Sequence, residues 1–147
     1  DLRFVTASFK IITDLERIGD LAVNLANHSR AATRTVAPEV AVDAIGEAAR
    51  ELLERSLSAY ETADPAACRA VAADDDEVDA LCQRASESVT RDLIAGRDGD
   101  GWEVERVLDD VSRVLLTIRD LERVADHAVN IAARTLYMIE NDPELLY

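Results

Sequence analysis

The sequence predicts an all-α fold of long antiparallel helices, and three observations predict it. Five Gly and three Pro in 147 residues leave too few turn formers for a β-rich chain. Alanine, leucine, arginine and glutamate dominate, and all four favour helix. Apolar residues recur three and four apart through four segments that Pro and Gly separate.

The first helix is predicted over residues 2–34, on Leu2, Val5, Phe9, Ile12, Leu15, Gly19, Ala22, Val23 and Ala26. Val36-Ala37-Pro38 ends it, and Pro38 suits the start of the next helix, because its missing N–H has no partner there anyway. The second helix, 39–62, carries Val42, Ile45, Ala49, Leu52, Leu53, Leu57 and Tyr60. Asp64-Pro65 then supplies an N-cap and a helix-starting proline. The third runs to about residue 95 on Val71, Val78, Leu81, Ala85, Val89 and Leu93. Residues 96–101 read as the one clear loop, and Asp100 with Glu103 reads as a capping box for a last helix, 102–140. Trp102, at its start, reads as a packing plug, and Asn141-Asp142-Pro143 closes it. Short links between long helices predict a bundle of antiparallel neighbours.

Composition narrows the function. The net charge is −14, spread as +1 over residues 1–35, −10 over 36–101 and −5 over 102–147. Nucleic acid is excluded as a ligand, since phosphate contact needs a basic footprint. No apolar run approaches the ~20 residues of a membrane span, and no secretory signal is visible, so a cytoplasmic location is expected. Cys68 and Cys82 lie ~20 Å apart along one helix at 1.5 Å per residue, beyond disulfide reach, and Cys82 belongs to the apolar row as a small buried thiol.

The chain also contains a block written twice. Asp14-Leu15-Glu16-Arg17-Ile18-Gly19-Asp20-Leu21-Ala22-Val23-Asn24-Leu25-Ala26 returns 106 residues later as Asp120-Leu121-Glu122-Arg123-Val124-Ala125-Asp126-His127-Ala128-Val129-Asn130-Ile131-Ala132, with nine of thirteen positions identical. In each copy Glu, Asp and Asn stand four apart, so Glu16, Asp20 and Asn24 form one ladder and Glu122, Asp126 and Asn130 another. Two carboxylates on successive turns can share a hard or borderline cation if another helix brings more oxygen ligands. The run Asp74-Asp75-Asp76-Glu77-Val78-Asp79 offers them, as Asp75/Asp79 or as Asp76/Asp79. Gly19 and Ala125, at matching positions, are small enough to admit a neighbouring backbone.

Against this stands a purely structural reading, in which Arg17 pairs with Asp14 and Asp20, and Arg123 with Asp120 and Asp126, at about 0.2–0.5 kcal/mol each. His28 reads as a surface residue, and His127 points about 100° away from Asp126. A ferritin-type site needs Glu-x-x-His, which is missing, as are phosphate-cradling loops and a nucleophile beside a base. No active site is expected.

Asp1-Leu2-Arg3 followed by Asp14 to Asn24, repeated at Asp120 to Asn130, resembles the PhoU family of bacterial phosphate-uptake accessory proteins. The resemblance implies tandem three-helix-bundle repeats, with residues 1–35 as the last helix of the first repeat and 36–147 as the second. The first two helices of repeat one are then absent from this chain, which opens without a Met. It implies a non-enzymatic regulator that represses the phosphate-starvation response and restrains uptake. The implied partners are a phosphate-sensing histidine kinase and the ATPase subunit of the phosphate ABC transporter, with membranes met only through them. Iron or zinc is implied on Glu16/Asp20 and on Glu122/Asp126, with helper acids best matched by Asp75 and Asp79 beside Asp76, and no organic cofactor. A first helix without its own repeat's partners must pack its apolar row (Leu2, Val5, Phe9, Ile12) against the other three helices or a second molecule, so a homodimer or swapped assembly is expected. The rivals are a metal-free helical adaptor and a metal-dependent helical enzyme acting on oxygen or a phosphate ester.

Overall fold

A computed structural model describes residues 1–31, 42–95 and 101–146, without the side chains of 101–103. It contains α1 (Leu2–Ala31), α2 (Val42–Thr62), α3 (Pro65–Ala95) and α4 (Gly101–Glu140), the expected all-α architecture. The proposed helix start at Pro38, residues 96–100 of the expected loop, the Asp100 cap and the Trp102 plug lie outside the described side chains and residues, while Gly101, expected to end the loop, is the first residue of α4.

The punctuation that can be checked works as read. Asp64 Oδ1 accepts from the backbone N–H of Ala66 and Ala67 at 2.9 and 3.1 Å, capping α3. Ala63 takes a left-handed φ of 51° to turn the chain between α2 and α3. Asn141, at φ 55°, ends α4, donating its N–H to the Tyr137 carbonyl at 2.9 Å, in the manner of a left-handed helix cap.

Helix α4 is the hub. It packs against each of the other three helices, and α2 and α3 pack against each other. The core between them holds Ile45, Ala49, Leu52 and Ala59 of α2, Cys68, Val71, Val78, Cys82, Ala85 and Val89 of α3, and Ile118, Leu121, Val124, Ala125 and Leu136 of α4. Both thiols are free and buried; the sequence implied burial for Cys82 alone. Alanines at 125, 128, 132 and 133, all buried, let neighbouring helices approach α4 closely.

Helix α1 departs from expectation. It packs along α4 and meets α2 at Tyr60, through a Ser8–Tyr60 hydroxyl contact of 2.8 Å and a stack with Phe4. Its packing face is Ala7, Ile11, Asp14 and Leu21. Of the two fates expected for its apolar row, packing against the other three helices is not the one taken, with Leu2 81 %, Phe9 68 % and Ile12 59 % exposed in the single chain. Of the corresponding row of α4, Ile118 is buried and Leu115 packs against the core, while Leu108 is 46 % exposed. One periodic stripe thus enters the core over its second half on α4 and stays at the surface on α1. A Cβ at Gly19 would also meet nothing within 4 Å, so no neighbour approaches there, whereas Ala125 is fully buried.

Candidate metal centre

The second copy of the repeated block places Glu122 and Asp126 on the side of α4 that faces α3. Across from them, the first half of α3 brings Asp75 and Asp79. One carboxylate oxygen each of Asp75, Asp79 and Asp126 lies within 4.8 Å of the others, the one such trio of ligand-type side chains among the described residues. The alternative α3 pairs now separate physically. Asp76 stays outside the trio, although Asp126, within it, is also exposed as a residue, and Asp74 is drawn to α2 by Arg55 Nη1 at 2.6 Å. Asp75/Asp79 is therefore the pair that faces α4.

Electrostatics describes the cluster as strained. Burial, then the charges of Asp79, Asp126, Asp76 and Glu122, push Asp75 up to about 6. Burial raises Glu122 as well, followed by Asp79 and Asp126. Asp126 is raised by burial and Asp79, against a smaller opposing pull from His127 and Arg123. The thiol of Cys82 is pushed up to about 12, by burial first and by Glu122, Asp79, Asp126 and Asp75 next, so it stays neutral and unreactive. Asp75 Oδ1 and Asp79 Oδ1 are buried without a hydrogen-bond donor. Such atoms are costly unless something satisfies them, and a cation bound by oxygen ligands fits both the orphaned atoms and the crowded charge.

Glu16 and Asp20, the matching acids of the first copy, are exposed on α1 and join no such trio among the described residues. The repeat therefore delivers one assembled acid cluster and one bare acid pair.

The structure also corrects the roles of the block's first Asp and of both histidines. Asp14 and Asp120 are buried, at 4 % and 1 % exposure, and do not pair with Arg17 or Arg123. Asp14 accepts from His127 Nδ1 at 2.9 Å, Arg134 Nε at 2.8 Å and Asn130 Nδ2 at 3.4 Å, all on α4. Asp120 faces His28 Nε2 at 3.3 Å and Arg119 Nη2 at 3.3 Å. Asn130 thus leaves the acid ladder for α1, and His28 is an interhelical residue rather than a surface one. A buried acid pairs across an interface because leaving it bare is expensive. The signal that could have found these residues was already in the block, since Asp14 and Asp120 are identical between copies yet stand off the Glu/Asp ladder.

Comparison with known proteins follows the same lines. The PhoU domain model matches residues 1–28 and 42–135. A phosphate-specific transport system accessory protein PhoU homolog from Synechocystis is 35% identical, over 98% of this chain and 61% of its own length. PhoU homolog 1 of Methanothermobacter thermautotrophicus is 31% identical, over 95% of this chain and 61% of its own. A homolog from Xylella fastidiosa 9a5c is 31% identical, over 99% and 59%. The chain thus spans about three fifths of the length of these relatives.

Proposed function

Because the chain belongs to the PhoU family, we propose that it is a non-enzymatic accessory protein of phosphate uptake, acting in the cytoplasm by docking on partner proteins. The partners proposed are a phosphate-sensing histidine kinase and the ATPase subunit of a phosphate ABC transporter. The names of its relatives, all phosphate-specific transport system accessory proteins, support the transporter link. Any contact with a membrane is proposed to run through those partners; no helix among the described residues is long and apolar enough to cross one. Pairing of two copies through the outward apolar row of α1 belongs to the same proposal.

Docking is tuned by a divalent cation, iron or zinc, on Asp75, Asp79, Glu122 and Asp126. The observation that carries this is the pair of buried carboxylate oxygens without donors, at the point where α3 and α4 bring their acids together. Glu16 and Asp20 would hold a second ion once another helix supplies further oxygens. The cation would supply charge neutralisation and a fixed α3–α4 geometry, and no catalytic step is assigned to it.

A metal-free adaptor is favoured by one observation: Asp75, pushed up to about 6, can hold a proton and so relieve the cluster without an ion. A helical enzyme draws no support from the relatives, whose names are those of transport accessory proteins. Elemental analysis of protein purified without chelator, beside Glu122→Ala/Asp126→Ala, separates the two binding modes. Stoichiometric iron or zinc, lost in the variant together with repression of phosphate-responsive genes, is the expected result. No metal in either protein, with repression unchanged, leaves the adaptor.

A further inference from the structure

The contacts of Asp14 and Asp120 obey the repeat. Asp14 corresponds to Asp120 and His28 to Arg134, 106 residues on in each case. Asp14 of α1 takes Arg134 of α4 at 2.8 Å, and Asp120 of α4 takes His28 of α1 at 3.3 Å. The two contacts are therefore reciprocal, related by a local two-fold axis between antiparallel helices. Asp14 further gathers His127 and Asn130, so three side chains over two turns of α4 converge on one buried carboxylate.

This arrangement controls a degree of freedom that apolar packing leaves loose. Burial is non-directional, whereas hydrogen bonds weaken steeply with angle, so the clamps resist rotation of α4 about its own axis. Helix α4 is continuous from Gly101 to Glu140, and a rotation set at 120, 127, 130 and 134 is carried to Glu122 and Asp126, roughly a third of a turn away round the axis. Side chains lie ~5–6 Å from a helix axis, so a 20° slip moves a carboxylate oxygen by about 2 Å. That displacement matches a whole cation–oxygen distance of ~2.0–2.6 Å, and it would take α4 out of the site.

We infer that Asp14 and Asp120 are positioning residues for the cation site, their clamps to α4 turning Glu122 and Asp126 onto Asp75 and Asp79, so that docking of α1 and cation binding reinforce each other. The inference rests on the cation reading above. It makes α1, which contributes no ligand to that site, a reporter of its occupancy, since coupling between two binding events is reciprocal.

The test is zinc titration by calorimetry of the whole chain, with hydrogen exchange of α1 followed with and without zinc. Asp14→Asn should bind zinc about tenfold more weakly, with helicity and a cooperative melt retained. Saturating zinc should slow exchange across α1 in the unaltered chain and in Glu16→Gln/Asp20→Asn. It should not do so in Asp14→Asn or in Glu122→Gln/Asp126→Asn. If Asp14→Asn fails to fold, His28→Gln loosens the Asp120 clamp at a milder site and is read for the same weakening. Zinc uptake with equal affinity in the clamp variants, and α1 exchange indifferent to zinc, overturns the coupling and leaves the cation site standing. No uptake by the unaltered chain overturns both.

Discussion

At the scale of single residues, Asp75 shows how one carboxylate records its surroundings. Its folded pKa of about 6 lies above the ordinary aspartate value of 3.8, and burial is the larger cause, with neighbouring acids second. The sign of the linkage follows. Where a carboxyl is raised on folding, the native state binds protons that the unfolded state has released, so stability increases as pH falls. For Asp75 the window runs from about pH 7 down to about pH 4, and Glu122 and Asp126, raised in the same direction, add to it. The expected outcome is a Tm of the metal-free protein that rises between pH 7.5 and pH 5. That gain should be smaller in Asp75→Asn, and the difference between the two proteins removes the general effect of discharging a chain of net charge −14. A Tm difference flat across this range would mean that Asp75 is not held above the ordinary carboxylate range. Bound metal reverses the trend, because ligands must be ionised to coordinate, so apparent zinc affinity should fall as pH drops through about 6.

At the scale of elements, helix ends and helix faces differ in how far local sequence decides them. The α2–α3 corner is written within a few residues. Asp64 caps two backbone N–H groups, and Pro65 follows as the first residue of α3. Asp64→Ala should cost about 0.5–2 kcal/mol in chemical denaturation, with Asp64→Asn or Asp64→Ser recovering most of it. A loss well below that range in Asp64→Ala would mean that Ala63, already in a left-handed turn, directs the corner without the cap. Faces are another matter. The periodicity of α1 correctly gave a helix, but the face it buries is Ala7, Ile11, Asp14 and Leu21 rather than the stripe of larger apolar groups. A helix can be apolar on two sides, and spacing alone does not say which of them a neighbour takes.

At the scale of the whole molecule, that second side is the feature most open to measurement. Leu2, Val5, Phe9 and Ile12 share one side of α1 and are all exposed, and an apolar row of this kind marks a candidate interaction surface. It also lies on the part of the chain that is not strongly acidic, since residues 1–35 sum to +1 while the rest sums to −15. Two such faces can meet without bringing acid against acid. Sedimentation velocity at micromolar concentrations should show self-association that Phe9→Glu/Ile12→Glu abolishes. A monomer in both proteins would rule out pairing through this face.

The sequence by itself determined the helical class, the positions of the described helices, the cap at Asp64, the stop at Asn141, the buried Cys82 and the duplicated acids, because each is local or periodic and needs no knowledge of neighbours. It also contained the family resemblance, carried by the block at Asp14 to Asn24 and Asp120 to Asn130. Only the tertiary structure decided that Asp75 and Asp79, rather than Asp76, face Asp126. Only there did Glu16 and Asp20 turn out exposed, and His28 and His127 turn from bystanders into partners of buried aspartates. The physical reason is common to all of these. Helical spacing fixes which residues share a face, while the rotation of each helix about its axis is set by what it packs against, and the chemistry of this protein depends on that rotation.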